Sequence, residues 1–441
     1  MINRFQNVPK VPELNKRLLF TLMMLIVYRI GVHIPTPGID AEALSEYFKM
    51  ASGTIFGFFN MFSGGALERF SVFALGIMPY ISSSIIMQLL TVVSPTLARL
   101  QKEGELGRKK ITQYTRYGTV IISLIQGFGI AYGLEHTTGP VGQSIVTNPG
   151  WSFRILTALT LTSGTAFIMW LGEQMTERGI GNGISMIIFA GIVARMPSAL
   201  GNTFNLIKTG ELNLFLLLAL LAFMFFVVAA IIFMETSQRK IPIQYPQRVV
   251  GNKIYSNQST HLPLKVNSAG VIPPIFASSI LMFPATVASF IPKETLNKMP
   301  ILNSILQSLG PGNLLYNIIF VGLIIFFAYF YTAIVFNPQD VAENLKKYGG
   351  YIPGIRPGPK TGEYIDKILG RITLGGAIYV SIICVLPNIL ISKFNVPFYF
   401  GGTALLIVVG VALDTLAQIE TFLLARSYEG FTKKGRIRGR R

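Results

Sequence analysis

The sequence predicts an all-α polytopic membrane protein with ten membrane-spanning helices in two inverted halves of five. Three observations predict it. The chain is 51% hydrophobic yet only 13% charged, where a soluble domain carries about 25% charged residues; its mean hydropathy is +0.52. Ten stretches supply the roughly 20 apolar residues that a spanning helix needs. Most of the 38 Lys and Arg residues gather in alternate connections, as the positive-inside rule expects of a chain that crosses back and forth.

The spans lie near 17–34, 74–93, 116–134, 152–172, 181–200, 213–234, 268–290, 313–336, 371–391 and 397–419. The first follows Lys16-Arg17 like a signal peptide, but no small-residue cleavage site comes after it, so an uncleaved anchor is expected. The second opens on a break. In "NMFSGGALERFSVFALGIMPYISSSIIMQLL" (Asn60 to Leu90) the chain is apolar from Phe73 onward, but Gly64-Gly65 and the charged pair Glu68-Arg69 precede it. Such a short, charged, broken helix is out of place in lipid. The interiors of spans two, three and six to nine carry no charge. Arg29 lies in the first and Asp414 in the tenth, both expected to snorkel or pair with neighbours; Arg154 and Arg195 sit at helix ends.

Five spans per half means that the second half enters the membrane with opposite polarity. That is the arithmetic of an inverted repeat, which places a central path between the halves. The expected organisation is an N-terminal segment 1–16, a first half 17–200, a hinge region 201–212, a second half 213–419 and a basic tail 420–441. The charge bias puts both ends in the cytoplasm.

Two cytoplasmic connections, 235–267 and 337–370, are longer than a turn requires. In the first, Ile241, Ile243 and Tyr245 alternate with other residues, and Gly251-Asn252 offers a tight turn between β-prone runs. The second, rich in Gly and Pro, is expected to be turn-dominated. Both are basic, which suits plain anchoring as well as protruding hairpins that dock a partner. The tail "TKKGRIRGRR" is expected to be disordered and has the charge to meet anionic lipid or RNA.

Several patterns lead nowhere. "GIRPGPKTG" lacks the Gly immediately before Lys that a phosphate-binding loop requires. "GIGNGIS" (Gly179 to Ser185) lacks dinucleotide spacing. Asn257-Gln-Ser259 falls on the cytoplasmic side and should stay unglycosylated. His33, His136 and His261 make no metal-ligand pattern, no cofactor is expected, and Cys384 is the only cysteine, so no intrachain disulfide can form. An ion-coupled secondary solute transporter, the main alternative, would need a titratable group inside the membrane, and only Asp414 offers a carboxylate there. On spans two and five, Ile77 and Ile81, and Ile184 and Ile188, stand four apart and share a helix face. On spacing alone they are packing surface.

The motifs "YRIGVHIPTPGID", "NMFSGGALERFSVFALGIMPYIS", "EGELGRKKITQYTRYGT", "WLGEQMTERGIGNGISMIIFAGIVA", "QSTHLPLKVNSAGVIPPIFASSI" and "VPFYFGGTALLIVVGVALD" resemble, in order along the chain, the bacterial SecY family of channel-forming translocon subunits. The resemblance implies a central pore hinged between spans five and six. It implies that residues 60–73, with Gly64, Gly65, Ala66, Leu67, Glu68, Arg69 and Phe70 at their centre, form a plug half-helix that blocks the resting pore from outside. The pore ring falls on Ile77, Ile81, Ile184, Ile188, Ile275 and Ile407. Spans two and three meet seven and eight at a lateral gate, where Ser82, Gln126 and Ser278 are candidates to line the seam or to bond neighbouring helices. The basic loops correspond to the family's docking surface for the SecA ATPase motor and the ribosome, with Arg239, Lys240, Arg248, Lys253 and Arg356 as candidate contacts. Asn252-Lys253 departs from the two basic residues usual at that turn, and Pro273-Pro274 from the usual single proline.

The resemblance further implies a passive channel of the bacterial cytoplasmic membrane, without catalytic residues. It would thread unfolded chains led by a signal sequence outward and release apolar helices into membrane lipids. The small subunits SecE and SecG are its expected partners.

Overall fold

The structure, a computed structural model, describes residues 11–40, 43–46, 60, 63–137, 144–199, 201, 208–209, 214–245, 249–250, 253–254, 260–288, 308, 313–394 and 402–434. The chain is mostly helical, and each of the ten predicted stretches holds a helix. These are α1 (Pro12–Val32), α2 (Met78–Val93), α4 (Glu105–Glu135), α5 (Trp151–Arg178), α6 (Gly183–Val193), α7 (Leu214–Thr236), α8 (Ile272–Ala288), α9 (Leu314–Val335), α11 (Pro359–Phe394) and α12 (Gly402–Lys434). Two short helices join them, α3 (Pro95–Lys102) and α10 (Pro338–Lys347). Among the described residues five helices are long and apolar enough to cross a membrane, or six when α2 and α3 are counted as one span bent by 100°. That bend falls at Ser94-Pro95. Pro95 occupies the first turn of α3, where its missing N–H has no partner to lose.

The chain forms two compact units. The first comprises Met1–Phe204, Ser279–Asn313 and Val411–Arg441; the second, Asn205–Ser278 and Leu314–Gly410. In the first unit α4 lies along α5. Gly127 permits the approach, since a methyl group there would stand 3.3 Å from the Ala158 Cα; small residues at such crossings let helix backbones close up. Ion pairs pin both ends of this helix pair, Arg116 with Glu173 at 2.7 Å and Arg154 with Glu135 at 2.6 Å. Arg154 therefore meets a carboxylate at a helix end and does not face lipid as a bare charge. The loop 179–183 is clamped from three sides. Ile180 N–H donates to the Thr21 hydroxyl of α1 (3.1 Å), Gly183 N–H to the Thr176 hydroxyl of α5 (2.9 Å) and Gly181 N–H to Gln418 Oε1 of α12 (2.8 Å).

In the second unit the long basic connections build one small platform. β1 (Gln238–Ile243) pairs antiparallel with β4 (Thr260–Lys265), with Ile241 opposite Leu262. Between them β2 (Val249–Val250) pairs with β3 (Lys253–Ile254), so Val250 faces Lys253 across the expected turn; residues 251–252 lie outside the described residues. The predicted alternation holds over the end of β1, where Ile241 and Ile243 are buried and Lys240 and Pro242 exposed; Arg239, before it, is exposed as well. Ile241 and Leu264 join Ile352 and Ile365 in a common core. Gln244 and Tyr351 exchange backbone hydrogen bonds at 2.9 Å each way, which ties the two connections together.

Two expectations are corrected. Residues 337–370 are not turn-dominated: turns are confined to the stretch between α10 and the early start of α11. The signals for α10 are ordinary ones. Asn337 caps it by accepting from Gln339 N–H at 3.1 Å, Pro338 opens it, Asp340 stands in its first turn and Lys346 and Lys347 in its last, each placed to suit the helix dipole. The disorder expected of the tail from Thr432 onward does not begin there, because α12 continues to Lys434; residues 435–441 lie outside the described residues.

Ile365→Ala empties a fully buried site under the platform. It should cost about 2–5 kcal/mol and render Arg239 and Lys240 newly susceptible to trypsin in the purified protein; unchanged proteolysis would show that this core does not hold the loops.

Candidate functional site

The site grows from the end of α1 and the segment that leads into α2. Residues 63–77 run as successive turns, with Ser71 bridging Pro35 in a single antiparallel pair. The half-helix expected over 60–73 is thus not formed by residues 63–73, though Asn60 is helical. Its backbone explains why. Gly64 and Gly65 take φ of +66° and +88°, and Phe70 takes +44°, all left-handed and incompatible with a right-handed helix. Phe70 is the only non-glycine residue with positive φ among the described residues. Its side chain is buried, in a cluster with Leu67, Leu75, Leu134 and Phe153, and its carbonyl accepts from Thr36 N–H at 2.9 Å. Burial and that bond hold a conformation that a bulky residue otherwise avoids.

Several polar groups of this irregular stretch find partners within the first unit. The Tyr28 hydroxyl donates to Ser63 O at 3.2 Å, and Arg29 Nη1 donates to Gly64 O at 3.2 Å. Arg29, expected to snorkel or pair, therefore grips the segment's backbone. Glu68 is also engaged. Its carboxylate accepts from Asn60 Nδ2 at 3.0 Å and from Arg195 Nη2 at 3.2 Å, while its N–H donates to Asn60 Oδ1 at 3.1 Å. The segment is pressed close as well as bonded. Gly31 leaves room for the Phe73 ring and Gly164 of α5 for the Val72 carbonyl. Phe73 stacks between Tyr28 and Phe167, at centroid distances of 6.0 and 5.9 Å.

The Ser63-Gly64 corner lies beside two helix ends at once. A methyl group at Gly76 would stand 3.5 Å from Ser63 Cα, and one at Gly64 would stand 2.8 Å from Gly191 Cα. Ile77 follows Gly76 directly and caps α2; Ile81 N–H donates to its carbonyl at 3.1 Å. Ile188 stands just before Gly191 on α6, one turn after Ile184. The corner is therefore within about a turn of both isoleucine pairs. Ile77, Ile81 and Ile188 are buried, and Ile184 half-buried, with its Cγ1 3.2 Å from a methyl position on Gly172. In the second unit Ile275 and Ile407 are both buried. They sit on α8 and α12, which approach where Gly410 abuts Val271.

The seam residues behave unequally. Ser82 is half-buried, and Ser278 bonds back along its own helix, its hydroxyl donating to Ile275 O at 2.9 Å. Gln126 is buried with Oε1 unpaired. The residue that does join α2 to α4 is Ser83, whose hydroxyl donates to Thr115 O at 2.8 Å beside Gly118. Sequence reading missed it; the small residue facing it at Gly118 is the signal that points to it. Of the docking candidates, Arg239, Lys240 and Arg356 are exposed on the second unit's platform. Arg248 lies outside the described residues, as does the side chain of Lys253. Asp414 is exposed, and it makes none of the salt bridges found among the described residues. No group of three or more His, Cys, Asp or Glu residues that could hold a metal occurs among the described residues.

Comparison with known proteins agrees over nearly the full length. A family model described as SecY matches residues 71–416. The protein translocase subunit SecY of Escherichia coli is 53% identical over 427 residues, covering 97% of this chain and 96% of the relative. A solved structure described as that of a protein conducting channel aligns with a TM-score of 0.66 at 17% identity, covering 94% of this chain and 96% of the other. A chain of the canine ribosome-channel complex from the endoplasmic reticulum aligns with a TM-score of 0.63 at 16% identity, with the same coverage.

Gly164→Ala places a methyl group against the Val72 carbonyl and should displace the segment that follows the corner. A cysteine introduced at the fully buried Ser71 should then react with maleimide several-fold faster than in the Gly164 background; equal rates would mean that α5 does not seat this segment.

Proposed function

The chain belongs to the SecY family, and on that premise we propose that it is a passive protein-conducting channel and not an enzyme. It passes unfolded polypeptides across the cytoplasmic membrane of a bacterium and releases apolar helices sideways into lipid. The chain is a multi-pass membrane protein; ten spans in two inverted halves, with both ends cytoplasmic, is the arrangement that the helix at each predicted stretch and the charge bias support.

A polypeptide in transit carries backbone groups that hydrocarbon cannot satisfy, so the route must be wet on both sides. At rest it must also refuse ions. Ile77, Ile81, Ile184, Ile188, Ile275 and Ile407 form the proposed constriction. Their branched side chains are stiff at χ1 and offer no hydrogen-bonding group to a passing chain, so the ring would seal by dewetting. Residues 60–73 are the proposed plug. The observation that carries this reading is the seating of that charged, irregular segment among apolar helices, within about a turn of the Ile77–Ile81 and Ile184–Ile188 pairs. A segment bonded by side chains of its surroundings, and not by a helix of its own, suits a removable stopper.

Spans two and three against seven and eight are the proposed lateral gate. Apolar helices would leave through it, driven by about 25 cal/mol for each Å² of apolar surface buried in lipid. The joined platform with Arg239, Lys240 and Arg356 supports docking of the SecA motor and the ribosome. Since the sequence contains no nucleotide motif, the driving energy comes from such a partner or from the membrane potential. SecE and SecG are the proposed small subunits. Family membership gives no support to the ion-coupled carrier.

Deleting residues 64–70 and replacing Ile81 and Ile184 with glycine should raise the resting ion conductance of reconstituted channels about tenfold or more, since a wide wet pore loses its dewetted gate. Unaltered conductance in planar bilayers would overturn the plugged pore. Photocrosslinkers at Ile77 and Ile407 should both capture a stalled secretory chain; capture at neither would remove the ring from the path.

A further inference from the structure

One helix carries on a single face two things that a resting channel must keep in register. Ile184, Ile188, Gly191 and Arg195 follow one another at intervals of four, three and four, the spacing of one helix face. α6 itself ends at Val193, but Ala194 keeps right-handed helical angles, and the N–H groups of Ala194 and Arg195 donate to Ala190 O and Ile192 O at 3.0 and 3.1 Å. The face therefore continues to Arg195. Its first half holds two residues of the proposed ring. Its second half holds the stopper: Gly191 lies against Gly64, and Arg195 meets the Glu68 carboxylate.

The two ends of this helix are fixed differently. At the start, Asn182 Oδ1 accepts from Ile184 and Ser185 N–H at 3.1 and 3.4 Å. Gly183 is packed on the Gly172 carbonyl, and the preceding loop is clamped by Thr21, Thr176 and Gln418. At the far end the grip on Glu68 is a partly exposed ion pair, each side chain retaining 30% of its surface. A pair open to water holds its partner weakly, and a hydrogen bond at 3.2 Å is lost with a displacement of about 1 Å. A firm mount at one end and a light catch at the other make a latch.

We propose that Gly191 and Arg195 are positioning residues that latch the plug, and that displacement of the Ile184–Ile188 face by an entering chain releases it. The inference rests on the plug and ring reading above. Widening of the ring and departure of the stopper then become one movement, because one rigid helix takes part in both.

The test uses the full chain reconstituted in planar bilayers. Glu68→Arg and Arg195→Glu should each raise resting ion conductance several-fold, and the combined charge reversal should return it close to the starting value. Rescue by reversal is not expected of a residue that only supports the fold. A second measurement covers variants that fold poorly. Cys384 is buried, so a cysteine placed at the buried Leu67 reports on the plug alone. Its labelling by maleimide should quicken several-fold in Arg195→Gln, and also in Ile188→Trp, which crowds the ring. Unchanged conductance and labelling in Arg195→Gln, with a leak on deleting residues 64–70, would overturn the latch and leave the plug standing. A deletion that stays sealed would overturn both. Faster labelling in Arg195→Gln without any in Ile188→Trp would overturn the link between ring and plug.

Discussion

Hydrocarbon gives backbone amides no partner, and an unmet polar group there costs several kcal/mol. The first unit is organised around that constraint. A stretch of turns can lie against apolar helices only if its backbone groups are satisfied, and here Tyr28, Arg29 and the Thr36 N–H donate to its carbonyls while Asn60 Oδ1 accepts from Glu68 N–H. The charges that looked anomalous along the chain are the means by which the anomalous stretch is tolerated. Arg29 and Glu68 are each out of place alone and each engaged in the fold.

Glycines do the complementary work. A helix cannot approach a turn closely through side chains; Gly31 and Gly164 each remove a Cβ where the segment comes in, and Gly64 removes one on the segment itself where it meets the Gly191 backbone. Gly127 and Gly172 do the same between neighbouring helices. The unit thus combines bare backbone surfaces for close approach with a few long polar side chains that reach across. Isoleucines fill what remains, and they need neither bonds nor a specific partner.

Much of this is legible in the sequence. Apolar length located a helix at each span, because a run of about 20 apolar residues has few alternatives. Alternation located β1, because Ile241 and Ile243 must share the buried face of a strand. The turns of residues 63–77 were not legible. Gly64-Gly65 announces a break, but the left-handed angle at Phe70 is imposed by burial from distant parts of the chain. Ser83 was passed over for Ser82 because adjacent helical positions point about 100° apart, and only the partner helix decides which of them faces inward. The clamp on the 179–183 loop joins residues more than 200 positions apart, Gly181 and Gln418, and no local pattern announces it. α10 is legible in Asn337-Pro338 with Asp340, which is a helix start, but the glycines and prolines that follow mask it.

Phe70 has one more implication. A phenylalanine at φ of +44° sits in a backbone state that costs of order 1–3 kcal/mol, so the segment does not carry its folded shape with it. As the proposed plug, it would relax like a released spring once lifted out of its seat and would have to be reshaped on return. On that reading the recess is a mould as much as a socket: a stopper that left it would lose its form, and resealing would wait on refolding as well as on finding the way back.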